Sequence, residues 1–428
     1  MLLEFCVANF LSIADRQTIS FVAGVGSSRQ SNYSFPTHNA LASNALRVAC
    51  VFGPNSAGKT SLTSAFDFFL RFVVNSAKDR TLGDKINVVN FKLDDEFFGR
   101  PSEFEITFVA NGSLYQYGFS VNRERVCDEW LFVKSNQPGT RMRQLFQRSY
   151  DFDRELYNWD VSSSFPKREI DTLKKRTRDN ALFLSTAVQN NFSAFMDVFS
   201  WVRNDCHVIG TLDKLADDFT SEQINSGMKK QVLQFIQSAD IKICDILVEE
   251  GKFEIPPIME KVLVAEEKER LINMAQDMKS WKVKTVHKKK GGGDAYLNLH
   301  EESDGTRKIY AYAGPILDVL ENGYTLIVDE LNSSLHPIMM RYIVDLFNSS
   351  ESNPKNAQLI FTSHETHVLS GDVLHKDQIW LVEKDSEEKS RFYPLSDFEV
   401  RDTDSFQRAY LSGRYGAVPL LKSVHHGK

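Results

Sequence analysis

An α/β fold is predicted for this 428-residue chain: a P-loop head carrying an antiparallel β lobe and a helical insertion. Three observations predict it. The apolar run 47–52 leads into Gly53-Pro-Asn-Ser-Ala-Gly-Lys-Thr60 and then an amphipathic stretch, the strand–loop–helix order of a phosphate-binding loop. Residues 306–382 alternate helix-period and strand-like segments, the pattern of a parallel sheet with crossover helices. Between these halves lie more than 200 residues of other character, first β-rich and then helical.

Taken in order, residues 2–8 and 17–23 read as strands. After Lys59, Leu62, Phe66, Phe69 and Val73 fall at spacings of three and four, one apolar stripe of a helix facing a sheet. From 103 to about 149, alternation marks strands at 105–109, 114–121 and 130–134, with Asn111-Gly112 as a hairpin turn. Residues 168–280 turn helical and polar, with dense charge over 260–270. Lys282, Lys284, Lys288, Lys289 and Lys290 run into Gly291-Gly-Gly293, a basic hairpin tip that is either a solvated loop or a contact for nucleic acid or a protein partner. A helix over 306–322, a strand at 325–328, a helix over 335–348 and strands at 358–362 and 378–382 follow. The predicted division is 1–165 for the N-terminal half of the head with its β lobe, 166–285 for the helical insertion and 286–428 for the C-terminal half.

Composition narrows the functional classes. Hydrophobic residues at 42% and charged residues at 25% are those of an ordinary globular protein. A net charge of -6 argues against a uniformly basic nucleic-acid binder while leaving room for a local basic patch. Cys6, Cys50, Cys127, Cys206 and Cys244 are odd in number and form no metal-ligand spacing, which fits free thiols in a reducing compartment. The chain opens without a basic, apolar leader, and its apolar stretches fall short of about 18 uninterrupted residues, so a cytoplasmic protein with no membrane span is expected.

Four motifs carry chemistry. Gly53, Pro54, Asn55, Ser56, Ala57, Gly58, Lys59, Thr60 and Ser61 form the phosphate loop. There the glycines admit backbone N–H groups to phosphate oxygens, Lys59 reaches the β and γ phosphates of ATP, and the Thr60 hydroxyl ligates Mg²⁺. Thr325-Leu-Ile-Val-Asp329-Glu330 is a buried strand ending in two acids: Asp329 for the Mg²⁺ shell, Glu330 to orient and deprotonate water. Gln358-Leu-Ile-Phe-Thr-Ser-His364 ends in an imidazole suited to bridge the γ-phosphate and the catalytic acid. Ser303-Asp-Gly305 opens a helix, where a Ser hydroxyl and free N–H groups bind an anion. Lys59, Glu330 and His364 are thus the candidate catalytic residues of an ATPase.

With these motifs, the chain resembles ABC-type ATPases of the Rad50/RecF/OLD branch, whose opening Phe5-Cys-Val-Ala-Asn9-Phe10-Leu-Ser12-Ile resembles. It is most similar to the RloA/AbiLi group of phage-defence ATPases, and to the ATPase subunits of PARIS systems, in Glu302-Ser-Asp-Gly-Thr-Arg-Lys308, Gly314-Pro-Ile-Leu-Asp318, Val328-Asp-Glu-Leu-Asn-Ser-Ser-Leu-His-Pro337 and Gly413-Arg-Tyr-Gly-Ala-Val-Pro419. Leu11 stands where arginine is usual, Asn332 where aspartate is common, and His336 where transporter-type relatives end in aspartate. Gln189 is a candidate lid glutamine, with a plain helical glutamine as the other reading. The resemblance implies an ATP sandwich in a homodimer or higher oligomer, with Ser303 and Gly305 reaching ATP held by a second chain. It also implies a sensor or scaffold in abortive infection, a phage protein as trigger, and a separately encoded effector such as a TOPRIM-type nuclease. A RecF/Rad50-like DNA-binding repair ATPase is the alternative, which makes DNA a further candidate partner. The pairs Asp151/Asp153 and Asp402/Asp404 invite a nuclease reading, but too little chain follows Asp404 for such a domain.

Overall fold

The computed structural model describes residues 1–24, 32–39, 42–79, 81–137, 139–210, 217–252, 279–333, 335–399 and 405–419. The charged stretch 260–270 and the pair Asp402/Asp404 lie outside the described residues. In chain order, β1 (Leu2–Ala8), β2 (Gln17–Ser20), β3 (Ser34–Asn39), β4 (Ala42–Leu46) and β5 (Val48–Phe52) precede helix α1 (Lys59–Asn75). Strands β6 (Ser102–Ala110), β7 (Ser113–Val121), β8 (Val126–Ser135), β9 (Arg143–Asp151) and β10 (Leu156–Val161) follow. After them come α2 (Lys167–Arg176), α3 (Phe183–Gln189), α4 (Met196–Ser200) and β11 (Cys206–Ile209). Next are α5 (Asp217–Gln223), α6 (Lys229–Ser238), β12 (Asp245–Lys252), β13 (Lys279–Lys288), β14 (Asp294–Asn298) and α7 (Asp304–Asn322). The chain ends through β15 (Thr325–Val328), α8 (Pro337–Asn348), β16 (Gln358–Ser363), β17 (Ile379–Lys384), β18 (Ser390–Pro394) and α9 (Phe406–Leu411).

Two compact units result: Met1–Thr211 with Asn322–Asn332 and Met340–Lys428, and Leu212–Glu321 with Ser333–Met339. The first holds a six-stranded sheet, order β11-β15-β16-β5-β17-β18, and a seven-stranded sheet, order β10-β9-β8-β7-β6-β1-β2. In the six-stranded sheet all neighbours run parallel except β17 and β18. The seven-stranded sheet is antiparallel throughout. The expected α/β head with an antiparallel lobe is therefore what the chain builds, and the lobe recruits the N-terminal strands as well.

The apolar stripe of α1 does what its spacing predicts: Leu62, Phe66, Phe69 and Val73 are buried. Phe66 stacks on Phe5 of β1 with centroids 3.8 Å apart, and Phe69 on Phe119 of β7 at 5.3 Å. Between β6 and β7, Asn111 and Gly112 take φ of 47° and 74°, the left-handed pair that a tight hairpin needs. Gly118 lies under Trp130; a Cβ there would stand 2.4 Å from the indole. Buried Gln358, at the start of β16, accepts from Leu2 N at 2.6 Å and donates to the carbonyls of Leu2 and Leu46, each at 3.0 Å, tying the two sheets together.

A charged group sits wholly inside the lobe. Glu129 and Arg148 are both buried and paired at 2.9 Å. Glu129 also accepts from Tyr117 Oη and from the N–H groups of Phe183 and Leu184, so one carboxylate ties β8 to the start of α3. Arg148 donates to Ala181 O.

The stretch read as helical contains β11, β12 and the start of β13 as well, and β11 pairs parallel with β15 from Cys206↔Thr325 to Ile209↔Val328. With four residues and no alternation it leaves no period to read. In the second unit, β12, β13 and β14 form an antiparallel sheet whose β13–β14 turn carries Lys289 and Lys290. Pro315 inside α7 leaves the Ala311 carbonyl without its helical donor. Thr220 Oγ1 answers by lying 3.3 Å from Ala311 O and 2.9 Å from Tyr310 O, while accepting Gly314 N at 3.0 Å. No helix among the described residues is long and apolar enough to cross a membrane.

Candidate functional site

The parallel strands β5, β15 and β16 lie side by side, so the turns after Phe52, Val328 and Ser363 open at one edge of the sheet. Only glycine fits at the root of the first turn, because a Cβ on Gly53 would lie 2.2 Å from Val382 O. Gly58 has φ of 118° and caps α1 with no side chain, which leaves the first-turn N–H groups of a 17-residue helix open toward an anion. Lys59 is 5% exposed and donates to the carbonyls of Gly53 and Pro54 at 2.7 and 2.9 Å. Its ammonium therefore already stands inside the loop. Burial pulls the Lys59 pKa below the ordinary lysine value, opposed by the charges of Glu330 and Asp329. Asn55, Ser56 and Thr60 are exposed on the loop.

A chain of hydroxyls braces the loop from behind. Ser61 Oγ lies 2.7 Å from Ser12 Oγ, Ser12 Oγ 2.7 Å from Ser390 Oγ, and Ser390 Oγ 2.7 Å from Ala57 O. A carbonyl can only accept, so Ser390 donates to Ala57, and Ser390 is likewise the donor toward Ser12, its one hydrogen shared between the two acceptors. The cluster also reinforces the demand for glycine at 58, where a Cβ would sit 2.2 Å from Ser390 Oγ. Asn9 serves the same opening segment. Its Nδ2 donates to the carbonyls of Phe97 and Arg100 at 3.0 and 2.8 Å, and its Oδ1 accepts Phe91 N at 3.0 Å.

At the end of β15, Asp329 is 3% exposed. Its Oδ1 accepts from Thr362 Oγ1 at 2.6 Å, and the same hydroxyl accepts Glu330 N at 2.7 Å. Glu330 takes φ of 50°, a conformation costly to a residue with a Cβ and one that recurs at functional sites. His364, exposed at the end of β16, lies within 3.2 Å of Asn332 Nδ2, while Asn332 Oδ1 is buried without a partner. Ser303 and Gly305 belong to the second unit, where Ser303 Oγ accepts Thr306 N at 3.2 Å at the start of α7. Helix α3, which carries Gln189, docks on the C-terminal end of α1 through Ser185 and Val73. That is roughly 21 Å along α1 from Lys59 at 1.5 Å per residue, so Gln189 is not brought to the loop.

The structure thus brings together the loop, Asp329, Glu330 and His364 in one unit. Hard oxygen donors, the Thr60 hydroxyl and the Asp329 carboxylate, fit Mg²⁺, and an uncapped helix start with a buried lysine fits a polyphosphate. Thr362, Ser12 and Ser390 escape sequence reasoning. Ser12 lies within a motif noted for other reasons, and Thr362 is one of two adjacent hydroxyls ending an apolar strand, its role visible only once β15 and β16 are placed in register.

The profile of a family described as "AAA domain, putative AbiEii toxin, Type IV TA system" matches residues 48–370, more than half of the chain. No curated protein matches. Among solved structures, the SMC head domain from Thermotoga maritima is 13% identical, with 93% of this chain and 99% of that chain covered at a TM-score of 0.39. An SMC head bound to the C-terminal winged-helix domain of ScpA is 12% identical, with 92% and 98% covered at 0.44. The recombination mediator protein RecF is 12% identical, with 92% and 98% covered at 0.37.

Proposed function

Since the chain belongs to this AAA-domain family, we propose that it is an ABC-type ATPase that hydrolyses ATP at an interface between two copies of itself. It acts as sensor and scaffold of an anti-phage abortive-infection system in the cytoplasm, controlling a separately encoded toxic effector. The observation that carries the ATPase reading is one hydroxyl, Thr362, holding both Asp329 and Glu330 beside a preformed phosphate loop. The defence role rests on the family description, which names a toxin of a toxin–antitoxin system, and on the RloA/AbiLi-like segments at 302–308, 328–337 and 413–419.

In this reading the loop N–H groups and Lys59 bind the β and γ phosphates, and Lys59 exchanges its two loop carbonyls for phosphate oxygens. Thr60 and Asp329 would hold Mg²⁺, which neutralises charge on the phosphate oxygens when bound. Glu330 orients a water and takes its proton on a carboxylate oxygen as the water attacks the γ-phosphorus, whose bond to the β,γ-bridging oxygen breaks so that ADP leaves with that oxygen and the γ-phosphoryl group becomes inorganic phosphate. His364 donates a hydrogen bond to the γ-phosphate. Ser303 and Gly305 of a second copy complete the phosphate contacts, so a lone chain is half a site.

The test is Glu330→Gln, which keeps shape and removes the base. It is expected to retain ATP and to accumulate as a nucleotide-bound dimer or larger assembly in light scattering. A variant that neither retains ATP nor changes assembly state would contradict the ATPase switch. Pull-down with the products of neighbouring genes, with and without ATP, tests the effector.

A further inference from the structure

The tail motif Gly413-Arg-Tyr-Gly-Ala-Val-Pro419 has no place in the phosphate chemistry, yet it is built with care. Gly413, Gly416 and Ala417 take φ of 79°, 69° and 54°. A Cβ on Gly416 would meet Tyr393 Oη at 2.7 Å and the Glu383 carboxylate at 2.9 Å. Glu383 Oε2 accepts Ala417 N at 2.7 Å, and Tyr393 Oη donates to Tyr415 O at 3.0 Å. Tyr415 and Ala417 are buried, and Tyr410 Oη donates to Ala417 O, so the loop folds back onto α9.

Helix α9 has only six residues, too few to hold its own shape, so its anchors decide where it lies. One anchor is the root of the phosphate loop. The Tyr410 ring meets Phe52, the residue before Gly53, edge-on at 4.9 Å and 90°. The other anchor is the histidine loop, where Gln407 Nε2 donates to Thr366 Oγ1 at 3.1 Å, two residues beyond His364. Glu383 lies on β17, which itself pairs with β5 at Leu381↔Phe52. The tail therefore ties the end of β5, the segment after β16 and the β17–β18 hairpin to one another.

We propose that residues 405–419 are a clasp that positions the His364 loop for hydrolysis, with Gln407 and Tyr410 as positioning residues. His364 is exposed, and Asn332 is its one hydrogen-bonding neighbour among the described residues. The direction of its ring thus depends on how the following segment is held. Ser363 Oγ holds the near side by accepting Glu365 N at 3.0 Å, and Gln407 holds the far side. Among the described residues the clasp makes no hydrogen bond or ring contact with residues 53–61, so its effect falls on turnover more than on nucleotide affinity.

This inference rests on the ATPase reading, and the experiment separates the two. In the full chain, Gln407→Ala, Tyr410→Phe and His364→Ala are compared with exposed Leu411→Ala. A fluorescent ATP analogue reports Kd, phosphate release reports kcat, and thermal melting checks folding. Gln407→Ala is expected to lower kcat roughly tenfold with Kd within twofold, as misplacing one group near the chemistry does. Tyr410→Phe, which keeps the ring on Phe52, lowers it in the same sense, and Leu411→Ala matches the natural chain. The discriminating result is the double variant: Gln407→Ala adds no further loss on top of His364→Ala. Additive losses, an unchanged kcat, or a Kd that weakens in step with kcat would overturn the clasp while leaving the ATPase reading intact. A natural chain that hydrolyses no ATP would overturn both.

Discussion

Thr362 Oγ1 donates to Asp329 Oδ1 at 2.6 Å, and the hydroxyl that makes this bond also accepts the N–H of the next residue, Glu330. Thr362→Val keeps the shape of β16 and strips both partners. Asp329 then loses this donor and the Glu330 N–H loses its acceptor, the latter at about 1–3 kcal/mol. Hydrolysis is expected to fall by more than tenfold and the melting temperature to drop. Thr362→Ser should recover most of the rate. Wild-type turnover in Thr362→Val would show that the acids hold their positions unaided.

The serine chain behind the loop predicts an effect on binding. Ser390→Ala removes the donor to Ala57 O, worth about 1 kcal/mol, so ATP affinity should weaken several-fold. Turnover at saturating ATP should change little. Equilibrium titration with an ATP analogue checks this, and an unchanged Kd would reduce the serines to packing.

Lys59 gives a dependence on pH. Its folded pKa lies below the ordinary 10.5, with burial as the largest cause, and only the charged form binds phosphate. ATP affinity should therefore be full at neutral pH and decline as pH rises through the depressed pKa, before the ordinary lysine range is reached. Kd measured between neutral and alkaline pH tests the sign. Affinity that holds constant up to the ordinary lysine pKa would contradict it.

Stability of the lobe should hinge on Glu129 and Arg148, both fully buried. Arg148→Met strands a carboxylate in the core and should cost about 3–5 kcal/mol. Adding Glu129→Leu should restore part of the loss, since the remaining charge goes with it. Chemical denaturation of the single and double variants measures the difference. Equal losses in both would show that the Tyr117, Phe183 and Leu184 contacts of Glu129 dominate instead.

What could be read from the residues depends on how local the cause is. The loop from Gly53 to Ser61, the strand ending in Asp329-Glu330 and the stripe of α1 follow from spacing and residue type within one segment. Beyond that reach lie β11, the hydroxyl of Thr362 and the tail contacts, because each takes its meaning from a partner in a distant segment. Ser390 acts on Ala57, and Gln407 on Thr366, only after strands far apart in the chain have become neighbours. The left-handed Glu330 is of the same kind: nothing about a glutamate announces φ of 50°.

Strand β5, immediately before the phosphate loop, finds both of its neighbours, β16 and β17, at residues 358–384. On a ribosome adding about 5–20 residues per second, the loop is exposed for on the order of tens of seconds before those strands exist. Until then the phosphate loop stands without the strands that flank β5 in the folded chain. The sheet order thus delays the first assembly of the loop with its neighbouring strands until residues 358–384 have been made.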